Sequence, residues 1–172
     1  MLYKYKKFFP KIAGGCFVAP SADIIGDVEI DTGTSVWFNA TIRADLNAIR
    51  IGKNVSIQDN CVLHTDIKAP LKIRHNVVIG HRAVIHSAEI DTNSIVGMGA
   101  ILLTGAKIGM NCIIGAGSVV TEDCEIPDRS IAIGTPAKVV KTVDAEHIKR
   151  IKRNIEEYMD LNKEYLENFK PS

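Results

Sequence analysis

The sequence has almost no net charge. Its 172 residues include 21 lysines and arginines against 20 aspartates and glutamates, which leaves a formal net charge of +1 at pH 7. Domains that bind nucleic acid or anionic membranes generally carry a surplus of basic residues, gathered in a patch or a segment. We therefore predict neither a nucleic-acid partner nor a membrane partner.

Long apolar runs are also missing. No stretch approaches the roughly 20 consecutive apolar residues that a membrane-spanning helix needs. The first ten residues, MLYKYKKFFP, are basic and aromatic, and they lack the apolar run of about 7 to 15 residues that a secretory signal peptide contains. The sequence alone therefore predicts a cytoplasmic protein.

Closely spaced cysteine pairs are absent as well. The four cysteines are far apart and form no Cys-x-x-Cys motif: Cys16, Cys61, Cys112 and Cys124. Neither a cysteine-based zinc site nor a dithiol redox centre is therefore indicated. Unpaired cysteines agree with a reducing compartment.

What the sequence does contain is a six-residue repeat. A branched apolar residue returns at every sixth position, with two insertions and one deletion along the way. These residues are Val18, Ile24, Ile30, Val36, Ile42, Ile51, Ile57, Leu63, Ile73, Ile79, Ile85, Ile90, Val96, Leu102, Ile108, Ile114, Val120 and Ile126. A mostly small side chain follows each by four residues. Cys61, Cys112 and Cys124 fall in this second column, so we interpret them as packing residues.

This repeat predicts a mainly β fold. A period of six excludes an α-helix, whose apolar face recurs about every 3.6 residues. Two inward columns of different size, separated by glycine or by turn-forming Asp and Asn, are typical of short parallel strands stacked in a solenoid. Eighteen hexads, three to a coil, predict six coils within residues 1–140. We expect residues 1–16 to form a strand that caps the first coil.

The periodicity becomes helical in residues 141–172. Asp144 is the predicted N-cap of an α-helix that continues to about Asn168. The apolar stripe of this helix consists of Ile148, Ile151, Ile155, Tyr158, Met159, Leu166 and Phe169. We expect this stripe to pack on the β-helix of residues 1–140 or on a neighbouring subunit.

Several short motifs together resemble the gamma-class carbonic anhydrase family. They are residues 36–40 (VWFNA), 42–45 (IRAD), 57–60 (IQDN), 80–81 (GH) and 85–86 (IH), and the resemblance extends over roughly residues 10–165. It implies a left-handed parallel β-helix of hexapeptide repeats, assembled as a homotrimer with a metal ion at each subunit interface. The implied metal ligands are His64, His81 and His86.

The hexad repeat gives these histidines different positions. With three hexads per coil, Arg43, His64 and His86 share one outward column on adjacent coils. Because neighbouring strands lie about 4.8 Å apart and zinc–imidazole bonds measure about 2.0–2.1 Å, His64 and His86 could share one ion. His81 lies at a corner, separated from His86 by five residues that span up to about 17 Å when extended. We therefore expect His81 to bind a metal ion that it shares with another copy of the chain.

The resemblance also implies an activity and residue roles. The implied reaction is the reversible hydration of carbon dioxide to bicarbonate by a metal-bound hydroxide, a lyase reaction, with zinc as cofactor or iron(II) or cobalt(II) in its place. Gln58 would orient the hydroxide, and Arg43, Asp45 and Asp59 would form charged pairs around the pocket. Tyr158 resembles the pocket tyrosine of the family, with Tyr165 as the rival.

The sequence departs from the family where a proton carrier is expected. Leu46 stands in place of a glutamate, Ser56 in place of an asparagine, and the loop at residues 65–70 contains one acid, Asp66. The shuttle glutamates are thus not evident. Two alternatives stay open: a hexapeptide-repeat acyltransferase, which the GTPAK turn at residues 134–138 also resembles, and a non-catalytic, metal-binding trimeric scaffold.

Overall fold

The computed structural model describes residues 1–170 and contains, in that range, twenty short strands followed by one helix. In chain order they are β1 (Leu2–Tyr3), β2 (Lys11–Ile12), β3 (Phe17–Val18), β4 (Asp23–Ile30), β5 (Ser35–Val36), β6 (Thr41–Ile51), β7 (Ser56–Ile57), β8 (Val62–His64), β9 (Leu71–Ile73), β10 (Val78–Ile79), β11 (Val84–His86), β12 (Glu89–Ile90), β13 (Ile95–Val96), β14 (Ile101–Leu102), β15 (Lys107–Ile108), β16 (Ile113–Ile114), β17 (Val119–Val120), β18 (Glu125–Ile126), β19 (Ser130–Gly134), β20 (Ala137–Thr142) and α1 (Ala145–Asn168).

The strands form a three-sided parallel solenoid. Face 1 consists of β3, β5, β7, β10, β13, β16 and β19. Face 2 consists of β1, the first parts of β4 and β6, then β8, β11, β14 and β17, and face 3 of β2, the second parts of β4 and β6, then β9, β12, β15 and β18. Faces 2 and 3 belong to one sheet because β4 and β6 are long enough to continue around the corner between them.

The two predicted inward columns form the core. Ile42, Leu63, Ile85 and Leu102 are fully buried along face 2, and each such side chain stabilises the fold by about 1.5–3 kcal/mol. Most of the second column is buried too. The exceptions are Cys124 and Glu89, which are partly exposed, and Leu46 and Ile67, which are exposed. The mainly β solenoid with a C-terminal helix is therefore confirmed.

The solenoid is longer than six coils. On face 2, Leu2 pairs with Ile24, and on face 3, Ile12 pairs with Ile30, so the N-terminal residues add strands below the first predicted hexads. At the other end β19 completes a seventh strand on face 1. Residues 130–142 also form an antiparallel hairpin, β19–β20, around the GTPAK turn at residues 134–138.

Helix α1 packs along face 1. It contacts β3, β5 and β7, and its buried apolar residues, Ile151 and Ile155, cluster with side chains of the later strands β10, β16 and β19. Asp144 is the N-cap, as predicted, and its side chain accepts a hydrogen bond from the His147 backbone N–H. Leu166 is 47% exposed, so of the two predicted partners of the apolar stripe it does not pack on the β-helix of its own chain. No helix among residues 1–170 is long and apolar enough to span a bilayer.

Candidate metal centre

His64 and His86 lie side by side on face 2. They end β8 and β11, which pair in parallel so that the two histidines are directly opposite each other. Their inward neighbours, Leu63 and Ile85, are fully buried and fix the backbone at this point. The imidazole centroids are 5.2 Å apart and the rings are inclined by 54°. Two imidazoles are thus close enough to bind one metal ion.

A carboxylate contacts the first of these histidines. Asp45 Oδ1 lies 3.0 Å from His64 Nε2, and Asp45 Oδ2 forms a salt bridge with Arg43. Burial alone would raise the pKa of Asp45, but the hydrogen bonds from His64 and Arg43 outweigh it and hold the pKa below its ordinary value. Asp45 is brought here by a bulge, since the β4–β6 register shifts between Ala44 and Ile49.

A hydroxyl contacts the second histidine. Thr104 Oγ1 lies 2.9 Å from His86 Nδ1. Thr104 was not identified from the sequence, although the repeat contains a signal for it. Thr104 and His86 are 18 positions apart, which is three hexads, or one complete coil.

His81 occupies the corner between faces 1 and 2. Its Nδ1 lies 2.8 Å from Asp59 Oδ2, and its backbone N–H donates to Gln58 Oε1 at 3.0 Å. The other Asp59 oxygen accepts a hydrogen bond from the Phe38 backbone N–H at 3.2 Å. The His81 side chain is 39% exposed, so its ring is oriented by neighbours on its own chain while part of it faces outward.

Tyr158 joins this second group from helix α1. Burial raises the pKa of Tyr158, the charge of Asp59 adds to the increase, and a hydrogen bond with Gln58 opposes it. Helix α1 contacts β7, which Gln58 directly follows, and the Tyr158 ring centroid lies 6.1 Å from that of Trp37. Tyr165, the rival tyrosine, packs instead in an aromatic cluster, with its ring centroid 4.9 Å from that of Trp37 and 5.0 Å from that of Phe17.

The predicted site residues therefore form two groups. We call Arg43, Asp45, His64 and His86 the first half-site, and Gln58, Asp59, His81 and Tyr158 the second half-site. Among residues 1–170 no three His, Cys, Asp or Glu side chains of one chain are arranged to hold a metal ion. The imidazoles of the first half-site suit a zinc-type ion in donor chemistry and spacing, and a three-histidine site would need the second half-site of another copy.

The departures from the family pattern also have definite positions. Ser56 is buried, and its Oγ accepts a hydrogen bond from Trp37 Nε1 at 3.0 Å, so it ties the tryptophan to the core. Leu46 follows Asp45 and is 50% exposed. In the loop at residues 65–70 the Asp66 carboxylate accepts the Lys68 backbone N–H at 3.0 Å, and Ile67 is 75% exposed.

The chain is similar in sequence and in fold to known proteins. A family model described as "Bacterial transferase hexapeptide (six repeats)" matches residues 87–122. A carbonic anhydrase of Geobacillus kaustophilus is 42% identical over 96% of this chain and 91% of its own. Gamma carbonic anhydrase 2, mitochondrial, of Arabidopsis thaliana is 38% identical over 88% of this chain and 57% of its own. The crystal structure of a hexapeptide transferase family protein from Anaplasma phagocytophilum is 32% identical, covers 95% of this chain and 97% of its own, and has a TM-score of 0.92.

Proposed function

Because this chain belongs to the gamma-class carbonic anhydrase family, we propose that it catalyses the reversible hydration of carbon dioxide to bicarbonate at a metal site between two copies of the chain. One observation carries the proposal: His64 and His86 are paired on face 2, while His81 is held at a different edge by Asp59. Each copy then offers two histidines to one neighbour and one histidine to the other.

Such an arrangement favours a closed ring of copies. The two half-sites are different surfaces, so the interface is of the head-to-tail kind and closes if the rotation between copies allows it. Both surfaces also expose apolar side chains: Val62, on face 2 two residues before His64, is 40% exposed, and Met98, one coil above His81, is 61% exposed. Covering them in an interface would be favourable. We propose the homotrimer that the family resemblance implies.

The metal would be held by His64 and His86 of one copy and His81 of the next. Three imidazoles with an open fourth position are typical of a catalytic rather than a structural zinc site, and iron(II) or cobalt(II) would suit the same donors. When bound, such an ion makes a coordinated water acidic enough to supply the nucleophile at neutral pH, the effect for which carbonic anhydrases are the standard example.

The other residues position these ligands. Asp59 accepts from His81 Nδ1, so the Nε2 of that ring is the nitrogen left for a metal. Gln58 is buried with its Oε1 bound to the His81 backbone, and the amide N–H that does not face Tyr158 would orient substrate oxygen. Arg43 holds the Asp45 carboxylate beside His64. Asp66 is the acid of the 65–70 loop that would carry the released proton towards solvent.

Two further functions have support of their own. The exposed Leu46 and Ile67 beside the first half-site favour a metal-binding trimeric scaffold without turnover, since neither can carry a proton. The match of residues 87–122 to a transferase hexapeptide model and the likeness to a hexapeptide transferase family protein favour a transferase, in line with the hexapeptide-repeat acyltransferase alternative. The three histidines and their carboxylate partners favour carbonic anhydrase over both.

Metal analysis and stopped-flow hydration test the proposal. We expect about one metal ion per chain in the purified protein, lost in His81→Ala and retained in His75→Ala, whose histidine is exposed at a different corner. The metal-loaded protein should hydrate carbon dioxide. A native protein without metal would refute the site. Metal without hydration would indicate the scaffold, and tight acetyl-coenzyme A binding by metal-free protein would indicate the acyltransferase.

A further inference from the structure

We propose that Thr104 is a positioning residue that holds His86 in the tautomer able to bind the metal. The proposal rests on the proposed function, because it assigns a role towards the same metal. The observation behind it is the 2.9 Å contact between Thr104 Oγ1 and His86 Nδ1.

The order of the coils decides which nitrogen of His86 can reach the metal. On face 2, β11 pairs with β8 on one side and with β14 on the other. His64 ends β8, whereas Thr104 follows β14 by two residues. The Nδ1 of His86 is therefore directed to the coil on the side away from His64. An ion shared by His64 and His86 must then be bound through His86 Nε2.

The protonation state follows from that choice. A neutral imidazole carries one N–H, and the nitrogen that binds a metal must be the other one. With Nε2 as the ligand, Nδ1 bears the proton and donates to Thr104 Oγ1. Without an acceptor at this position, His86 would also populate the tautomer that carries the proton on Nε2, and that tautomer cannot bind the metal.

The expected effect can be scaled from other metal sites. Loss of a group that orients a histidine ligand typically lowers metal affinity about 10- to 100-fold. Thr104→Val keeps the shape of the side chain and removes the acceptor, so we expect a decrease of about that size. Thr104→Ser keeps the hydroxyl and should bind the metal with nearly wild-type affinity. Thr121→Val, on the next coil of face 2 at an exposed position, is the matched control.

The decisive experiment measures the tautomer in metal-free protein by nitrogen-15 NMR of the histidine rings. Wild type and Thr104→Ser should carry the His86 proton on Nδ1, and Thr104→Val should shift a measurable fraction to Nε2. A wild-type protein with the proton on Nε2 overturns the proposal, whether or not any variant folds. So does a Thr104→Val protein with an unchanged tautomer.

Titration with cobalt(II), followed by its absorption spectrum in the assembled protein, gives the second readout. Thr104→Val should bind more weakly than Thr121→Val, and equal affinities would overturn the proposal. If wild-type protein binds no metal, the proposed function fails, and the metal-free tautomer still tests the role of Thr104. The two failures are thus distinguishable.

Discussion

Asn162 fastens helix α1 to the first coils of the solenoid, and its replacement by alanine should destabilise the protein measurably. The side chain is 3% exposed. Its Oδ1 accepts from the Phe17 backbone N–H at 2.9 Å, and its Nδ2 donates to the Gly15 carbonyl at 2.9 Å. Gly15 is exposed, so water can replace the second bond. The buried Phe17 N–H would lose its partner, which costs about 1–3 kcal/mol.

The assay is urea or thermal unfolding at one fixed protein concentration, because the stability of the proposed homotrimer would depend on concentration. For a chain of this length 1 kcal/mol corresponds to about 2–4 °C in Tm. Asn168→Ala is the control, since Asn168 lies on the same helix but is exposed. That variant should stay within about 0.5 kcal/mol of wild type. If Asn162→Ala were no less stable than the control, the stabilising role of the Asn162 hydrogen bonds would be refuted.

Three other variants or conditions test separate parts of the structure. Gly80→Ala would place a Cβ 2.7 Å from the Met98 backbone nitrogen; we expect a loss of about 1–3 kcal/mol in unfolding experiments, and weaker metal retention if the next residue, His81, binds the metal as proposed. Burial raises the pKa of Cys61 to about 12, so its thiol should resist a disulfide reagent at pH 8 until the protein unfolds, and rapid labelling would contradict this. Hydrogen bonds from His147 lower the pKa of Asp144 to about 2. The stability gap between wild type and Asp144→Ala should therefore shrink as the pH falls from about 4 towards 2, whereas a gap that does not change over this interval would be inconsistent with this capping.

Much of the fold could be predicted because the repeat is local. Each inward residue is identified by its neighbours six positions away, and the change from period six to helical spacing marks the start of α1. The N-terminal strands were missed for two different reasons. Ile12 lies six positions before Val18 and continues the repeat one hexad earlier than our count begins, whereas Leu2 lies outside the six-residue spacing and joins face 2 only through pairing with β4.

The site could be predicted in part. The column arithmetic brings His64 next to His86 and predicts that His81 lies elsewhere, because a coil of fixed length converts sequence spacing into position. The same arithmetic could have identified Thr104, because it lies one coil beyond His86. Asn162 was not, since its contact with Phe17 joins residues 145 positions apart through the docking of a helix on a sheet. No periodicity encodes that contact.

The claim that the metal site is shared between copies has a direct test in subunit mixing. The His81→Ala variant retains the first half-site, and a His64→Ala, His86→Ala double variant retains the second. Each variant alone should bind no metal. After unfolding, mixing in equal amounts and refolding, random assembly joins the two intact half-sites at about one quarter of the interfaces of a closed ring. We expect the mixture to bind about one quarter of the metal that wild-type protein binds, and a mixture that binds none would show that the site is not shared between copies.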